Sequence, residues 1–111
     1  MATRFMTDSE LVATIQQFVA EGLAQLEGDD RAWAESRIIA PRPIEVSLPG
    51  GDTDTTETMW LVTDFVDGDL QDYRLVYDSA LITFGLISPG LQGRPVLIGL
   101  YGDFAETVRG L

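Results

Sequence analysis

The chain contains no cysteine and no histidine among its 111 residues. Without cysteine there are no disulfides and no thiolate nucleophiles, and without histidine there is no imidazole acid–base catalysis and no serine–histidine–aspartate triad. Zinc sites built from either residue type are excluded for the same reason. Since most familiar enzyme chemistry has no residues here to perform it, we expect a protein that is not an enzyme and has no cofactor.

Positive charge is scarce. Seven arginines and no lysine stand against 18 aspartates and glutamates, which gives a formal net charge of −11. Phosphate contacts dominate nucleic-acid affinity and anionic lipids attract basic segments, so we expect neither nucleic acid nor a membrane as partner. A field of one sign favours encounters with the opposite sign, which predicts a protein partner with a basic surface. The same charge also keeps a domain soluble, and that simpler explanation stays open.

Long hydrophobic runs are also missing. No apolar run approaches the ~18 residues that a membrane helix needs, and the N-terminal residues lead to Asp8 and Glu10 without the apolar core of a signal peptide. We therefore expect a cytoplasmic protein. Hydrophobic residues still make up 45% of the chain. That composition and a length of 111 residues are typical of one folded domain, which we place at 1–111.

The first part of the chain has the pattern of an amphipathic helix. Between residues 8 and 27, apolar residues recur at intervals of three and four, at Leu11, Ile15, Phe18, Val19, Leu23 and Leu26. Thr7 followed by Glu10 predicts a capping box at the start, and Gly28 is a plausible stop. Residues 29–37 are expected to add a short helical segment that ends before Pro41 and Pro43.

The rest of the chain alternates with period two, as strands do. Ile44 to Leu48 predicts a first strand, and further runs cover about 58–66, 72–78, 81–87 and 95–101. The connections are too short for parallel crossovers, which predicts an antiparallel meander of about five strands. Asp103 is expected to cap a short C-terminal helix. The prediction is an α+β fold in which both terminal helices cover the same face of the sheet.

Two of these strands are apolar on both faces. Leu81 to Ile87 and Val96 to Leu100 contain almost no polar alternation. Such strands are either central or in contact with a partner on their second face. Because two helices cover only one face of a five-stranded sheet, this pattern predicts a homodimer.

One acidic cluster is a weak candidate metal site, composed of Asp64, Asp67, Asp69 and Asp72 around a glycine. Closely spaced carboxylates on a flexible loop are what Ca²⁺ prefers, but the spacing does not match an EF-hand. A solvated hairpin turn explains Asp67-Gly68-Asp69 more simply.

A second, looser acidic group lies on the preceding loop, where Asp52 and Asp54 are followed by Glu57. Together with the first cluster it could hold Mg²⁺, which usually takes one or two protein carboxylates plus waters. The sequence does not show whether the two segments approach each other.

The tryptophans are the candidate interface residues. Trp33 follows the acidic pair Asp29 and Asp30, and a tryptophan in such a setting often anchors an interface. Trp60 is flanked by apolar residues in a strand and is expected in the core. Glu45 is expected to point outward as an edge-strand charge, not to act as a catalytic acid.

The favoured function is a non-enzymatic interaction module, of the inhibitor, immunity-protein or chaperone kind, with a basic partner surface. Charge and the absence of catalytic residues support it. The alternative is a small-molecule or divalent-metal-binding domain that uses surface carboxylates. A third possibility is a structural subunit that completes a larger assembly.

Overall fold

A computed structural model of the chain describes residues 7–48, 55–64, 73–88 and 95–110. The elements, in chain order, are α1 (Asp8–Gln25), α2 (Gly28–Glu35), β1 (Ile38–Ser47), β2 (Thr56–Thr63), β3 (Arg74–Asp78), β4 (Thr83–Ser88), β5 (Val96–Gly102) and α3 (Phe104–Arg109). This order confirms the predicted α+β fold, with an N-terminal helix, five strands and a short C-terminal helix.

Helix α1 begins where the capping box predicts. The Thr7 hydroxyl accepts a hydrogen bond from the Glu10 amide, and the Glu10 carboxylate accepts one from the Thr7 amide. The helix ends at Gln25, slightly before the predicted boundary, because Leu26 adopts an extended conformation and is buried. Gly28 has a φ of 57° and opens α2, so it separates the two helices as expected.

Strand β1 begins at Ile38, well before the predicted start at Ile44. Pro41 and Pro43 therefore lie inside a strand, which corrects their prediction as the end of a helical segment. Proline donates no backbone hydrogen bond, and sheets accept it at edges and irregularities. The register with β2 shifts between Ile38 and Arg42, and this irregular segment accommodates Pro41.

The strands follow one another in the order β1-β2-β3-β4-β5, and each sequential pair is antiparallel. The predicted meander is thus confirmed. The first and last of five up-and-down strands run in the same direction, so where they meet they must pair in parallel. They do so at Ser47 and Val96, where the Ser47 amide donates to the Pro95 carbonyl at 2.9 Å. This closure of the sheet was not predicted.

The closed sheet has a core on each of its faces. The first core lies between the sheet and the helices, where Ile15, Val19, Phe104 and Val108 pack on strand residues that include Trp60 and Phe84. The second core lies on the opposite face, inside the curved sheet, and consists of Val46, Met59, Leu61, Val76, Ile87 and Leu97. The burial of Trp60 in the first core confirms its predicted position.

The second core changes the interpretation of the doubly apolar strands. Ile87 and Leu97 are buried without any second chain, because the sheet curves and closes over that face. The pattern that predicted a homodimer is therefore satisfied within one chain. Among the helices in the described residues, none combines the length and apolar character needed to cross a bilayer.

Candidate binding site

A cavity of about 360 Å³ lies where α1, the β3–β4 hairpin and the start of α3 meet. Three elements distant in sequence supply its walls, so it exists only in the folded chain. Its aromatic walls are formed by Phe18, Tyr77, Phe84 and Phe104. Its polar lining includes Glu21, Gln25 and Asp103.

The four aromatic rings form a continuous chain through the wall of the cavity. Phe18 and Tyr77 have ring centroids 5.9 Å apart, Tyr77 and Phe84 5.0 Å, and Phe84 and Phe104 5.6 Å. The tilted and edge-on arrangements are those that aromatic pairs prefer. The wall is therefore held by mutual packing of rings from α1, both hairpin strands and α3.

The charges in the cavity lining are negative. Glu21 is exposed on α1, and its Oε1 accepts from the side-chain amide Nε2 of Gln17 at 3.3 Å. Asp103 caps α3, accepting from the Glu106 amide nitrogen at 2.8 Å. The carboxylate of Glu106 lies over Gly102, since a Cβ built on that glycine would be 2.5 Å from Glu106 Oε2.

Arg109 contacts one residue of this lining, Gln25. Its Nη2 donates to the Gln25 carbonyl oxygen at 2.8 Å, which engages the arginine with the C-terminal end of α1. Among the residues that the structure describes, no cationic side chain lines the cavity itself. The cavity thus combines an apolar interior with negatively charged groups in its lining.

The tip of the β3–β4 hairpin borders the cavity and exposes two large apolar side chains. Leu81 is 64% exposed and Ile82 71% exposed, and Ile82 also lines the cavity. The sequence pattern predicts a strand from about residue 81, but β4 begins only at Thr83. Leu81 and Ile82 lie instead in the turn, which explains why the closed sheet does not bury them.

Ile82 has a φ of 52°, a left-handed conformation that is unfavourable for a β-branched residue. The turn is held by the buried Asp78, whose Oδ1 accepts from the Ala80 amide at 2.9 Å and the Leu81 amide at 3.3 Å. Beyond the tip, the Thr83 hydroxyl contacts the Gly102 backbone. These hydrogen bonds fix a conformation that costs about 1–2 kcal/mol at Ile82.

Two groups near or on the sheet have shifted pKa values. Burial raises the pKa of Tyr77, and the neighbouring Asp78 carboxylate raises it further. Hydrogen bonds from Thr58 and Thr56 lower the pKa of Glu45. Glu45 is exposed, as its predicted outward position requires, and its charged form is favoured. It therefore lacks the raised pKa of a catalytic acid.

The predicted interface residues lie on α2, outside this cavity. Asp29 and Asp30 are exposed in its first turn. Trp33 is half-buried, packs against the first core, and has the Arg37 guanidinium 4.6 Å from its ring centroid. The structure thus brings the three together on one short helix, and their role at an interface stays a prediction.

The predicted metal ligands fall mostly outside the described residues. Asp64 follows β2, whereas Asp67, Asp69 and Asp72 lie outside the described ranges, as do Asp52 and Asp54 of the second acidic group. Among the residues that the structure does describe, no group of three or more carboxylates could hold a metal ion.

A second groove, of about 380 Å³, lies between α1 and β1. Val19, Leu23, Ile38 and Ile39 are among its lining residues, and none of its described lining residues is charged. Because this second groove has no described group that would select a ligand by charge, the aromatic cavity is the candidate site.

The sequence suggests that Tyr73, Tyr77 and Tyr101, on adjacent strands, could line a pocket between the sheet and α1. Of the three, Tyr77 lines this cavity, and the sequence indicates none of its other walls. The apolar spacing places Phe18 on the apolar face of α1, and the alternation places Phe84 in a strand, but neither pattern indicates a cavity. The adjacent pair Leu81 and Ile82, directly after the Asp78-Ser79-Ala80 turn signal, could have indicated an exposed apolar tip. Comparison with known protein families, curated proteins and solved structures finds no match to this chain.

Proposed function

We propose that this protein is a non-enzymatic interaction module of the cytoplasm that binds a basic surface of another protein. The observation that carries the proposal is the exposed apolar tip of the β3–β4 hairpin beside a cavity with carboxylates in its lining. Protein interfaces commonly combine an apolar centre, which is desolvated on binding, with a polar rim that sets specificity.

The charge of the helical layer supports a basic partner. Residues 7–36 contain seven carboxylates and one arginine, and that arginine, Arg31, is paired with Glu35 at 2.7 Å. Asp29, Asp30 and Glu27 are all exposed. This surface attracts a basic protein over about 10 Å at moderate ionic strength, which accelerates encounter.

The strain at the hairpin tip also supports a binding role. Ile82 gains little from burial in the isolated chain, yet its backbone conformation is unfavourable. Strained residues of this kind cluster at ligand contacts and switch regions. A partner that covers Leu81 and Ile82 would recover about 2–3 kcal/mol of transfer free energy from the two side chains together.

The test is binding of labelled peptides at low and high salt, measured by fluorescence anisotropy. We expect an arginine-rich peptide with interspersed leucines to bind, and an acidic peptide of equal length not to bind. Leu81→Asn should weaken binding by about 1 kcal/mol through lost apolar contact, and raising the salt should weaken it further. Binding that is absent at low salt, or equal for both peptides, would contradict the proposal.

The alternative function, binding of a divalent metal, is tested in the same preparation. A metal ligand of the native state raises the melting temperature by mass action. If Ca²⁺, Mg²⁺ or Mn²⁺ stabilises the chain and a chelator reverses the effect while the peptides do not bind, the metal-binding function replaces the interaction module.

We also propose that the chain forms a homodimer through β5. Ile98, Leu100 and Tyr101 are 47%, 37% and 40% exposed, and no residue of β5 is charged. A chain of net charge −11 repels its copies least along such a strand. Light scattering should give a dimer mass for wild type and for Leu81→Glu, but a monomer mass for Ile98→Glu. A monomeric wild type overturns this assignment.

A further inference from the structure

The sheet closes at a single point, which leaves one free edge on each of its two terminal strands. Along β1 and β5, Ser47 and Val96 are the only residues that pair with each other. Ser47 ends β1 and Val96 begins β5, and the two strands run in the same direction. From this pair they therefore extend to opposite ends of the sheet. Within the described residues, the rest of each strand has no sheet partner on its outer side.

The outer edge of β1 lacks the donors that an added strand would need. The Ser47 amide points outward, since it donates to the Pro95 carbonyl at the start of β5. Backbone orientation alternates along a strand, and the register with β2 is regular at this end of β1, so Pro43 and Glu45 also face outward. Pro43 has no N–H group, and neither has Pro41 just before it. Proline and charge are the means by which edge strands avoid pairing.

The outer edge of β5 has no such protection. The strand contains neither proline nor a charged residue, so each of its residues keeps an N–H group. Only Leu97 is buried, whereas Ile98, Leu100 and Tyr101 are exposed. An exposed, apolar edge of this kind is a template for pairing with another chain. The register with β4 shifts twice along β5, which increases the twist of the strand and limits an added pairing to a few residues.

Charge decides which chain fits this edge. A basic partner finds no carboxylate on β5, while a second copy of this chain, which carries a net charge of −11, meets no charged side chain there. Across a two-fold axis perpendicular to the sheet, β5 lies antiparallel to its own copy. The exposed side chains of Ile98 and Leu100 then come from both copies and cover each other. A second copy therefore fits β5 better than a basic protein does.

We infer that two copies of the chain join edge to edge, through antiparallel backbone hydrogen bonds between their β5 strands, and that Pro41, Pro43 and Glu45 prevent the same pairing at β1. The inference rests on the proposed homodimer and adds to it the way in which the copies pair. It also explains why association stops at two copies. A chain with two open edges could add copies without limit, whereas a single open edge that pairs with itself gives a closed dimer.

Amide hydrogen exchange, followed by nuclear magnetic resonance at low and high protein concentration, tests the backbone pairing. The β5 amides that do not bond to β4 should exchange at least about tenfold more slowly in the dimer. The Glu45 amide, which points outward on β1, is the control and should exchange equally at both concentrations. In a mixture of ¹³C-labelled and unlabelled chains, contacts between the Hα protons of the two β5 strands should appear. A dimer whose β5 amides gain no protection would overturn the inference.

Proline variants test why β1 does not pair. Pro41→Val combined with Pro43→Val restores two N–H groups to β1, and light scattering should then give masses above that of a dimer. Pro95→Val makes the same substitution outside β1, keeps the carbonyl that accepts from Ser47, and should remain a dimer. Pro43→Val alone leaves the irregular segment intact and should also associate further, which keeps the test available if the double variant does not fold. Folded β1 variants that remain dimers would overturn the role of the prolines.

These measurements separate failure of this inference from failure of the proposals on which it rests. If the chain is a monomer at every concentration, the proposed homodimer and the edge pairing fail together. If it is a dimer whose β5 amides exchange as in the monomer, the homodimer stands and the copies meet through side chains alone. Binding of the basic peptides is measured independently, so either result leaves the interaction module to its own test.

Discussion

Gly22 of α1 and Phe104 of α3 lie in contact, so close that a Cβ added to Gly22 would be 2.7 Å from both Phe104 Cβ and Cδ1. No ordinary Cβ contact is that short. The absence of a side chain at one position therefore sets the distance between the two helices. Because both residues line the aromatic cavity, the same contact also determines its shape.

Gly22→Ala should destabilise the protein by about 1–2 kcal/mol, since the displaced helices cost more than the gain of about 1 kcal/mol in helix propensity. Urea unfolding measures the change. The control is Ala13→Gly, at an exposed position of α1, which reports propensity alone and should lose about 1 kcal/mol. A stabilised Gly22→Ala variant would show that the close contact carries no constraint.

Ile82→Asn should stabilise the fold by about 0.5–1 kcal/mol while weakening peptide binding. Asparagine tolerates the left-handed backbone that Ile82 is forced to adopt, and little burial is lost at a position that is 71% exposed. Leu81→Asn is the matched control: it removes a comparable exposed side chain without relieving strain, so stability should not rise. Equal stability changes in the two variants would remove the strain argument.

Thr63→Val should destabilise the fold by about 1–3 kcal/mol. Thr63 is fully buried, and its hydroxyl accepts from the Leu75 amide at 2.8 Å. Valine has the same shape and leaves that buried amide without its acceptor. Thr63→Ser keeps the hydroxyl and should recover most of the loss in chemical denaturation. A Thr63→Val variant that is as stable as the wild type would contradict this role of the hydroxyl.

The Glu45 carboxyl should titrate below its ordinary pKa of 4.5, because Thr58 and Thr56 donate to its charged form. When the pKa of a carboxyl is lower in the folded state than in the unfolded state, the group stabilises the fold at any pH above its unfolded-state pKa. That stabilisation is lost as the pH falls through the folded-state pKa. Thr58→Val should raise the Glu45 pKa more than Thr56→Val, as measured by carboxyl resonance titration. A pKa of Glu45 that neither variant moves would refute the hydrogen-bond explanation.

Tyr77 should make the fold sensitive to alkali. Its pKa is raised from an ordinary value of 10.0 by burial and by Asp78. At a pH above the pKa of Tyr77 in the unfolded state, the unfolded chain releases the phenol proton while the folded chain still retains it. The free energy of unfolding therefore falls as the pH rises between the two pKa values. Tyr77→Phe should remove this part of the decline in urea unfolding series. If stability falls equally with rising pH in the wild type and in Tyr77→Phe, the sensitivity to alkali comes from other groups.

Much of the fold could be read from local patterns. The capping box of Thr7 and Glu10, the spacing of the α1 apolar face and the cap at Asp103 involve residues three or four apart, so the chain specifies them before any tertiary contact forms. Period-two alternation likewise identified five strands, and the short connections made them antiparallel. The absence of cysteine and histidine from the sequence likewise excluded thiol and imidazole catalysis.

Only the tertiary structure decided what the strands enclose. The pairing of Ser47 with Val96 closes the sheet, and this non-local contact converts the second apolar face from a predicted dimer surface into a core. The cavity has the same origin. Phe18, Tyr77 and Phe104 are far apart in sequence, and local periodicity marks each only as apolar. Their juxtaposition depends on how α1 and α3 pack, at a distance set by Gly22, and no local pattern encodes that distance.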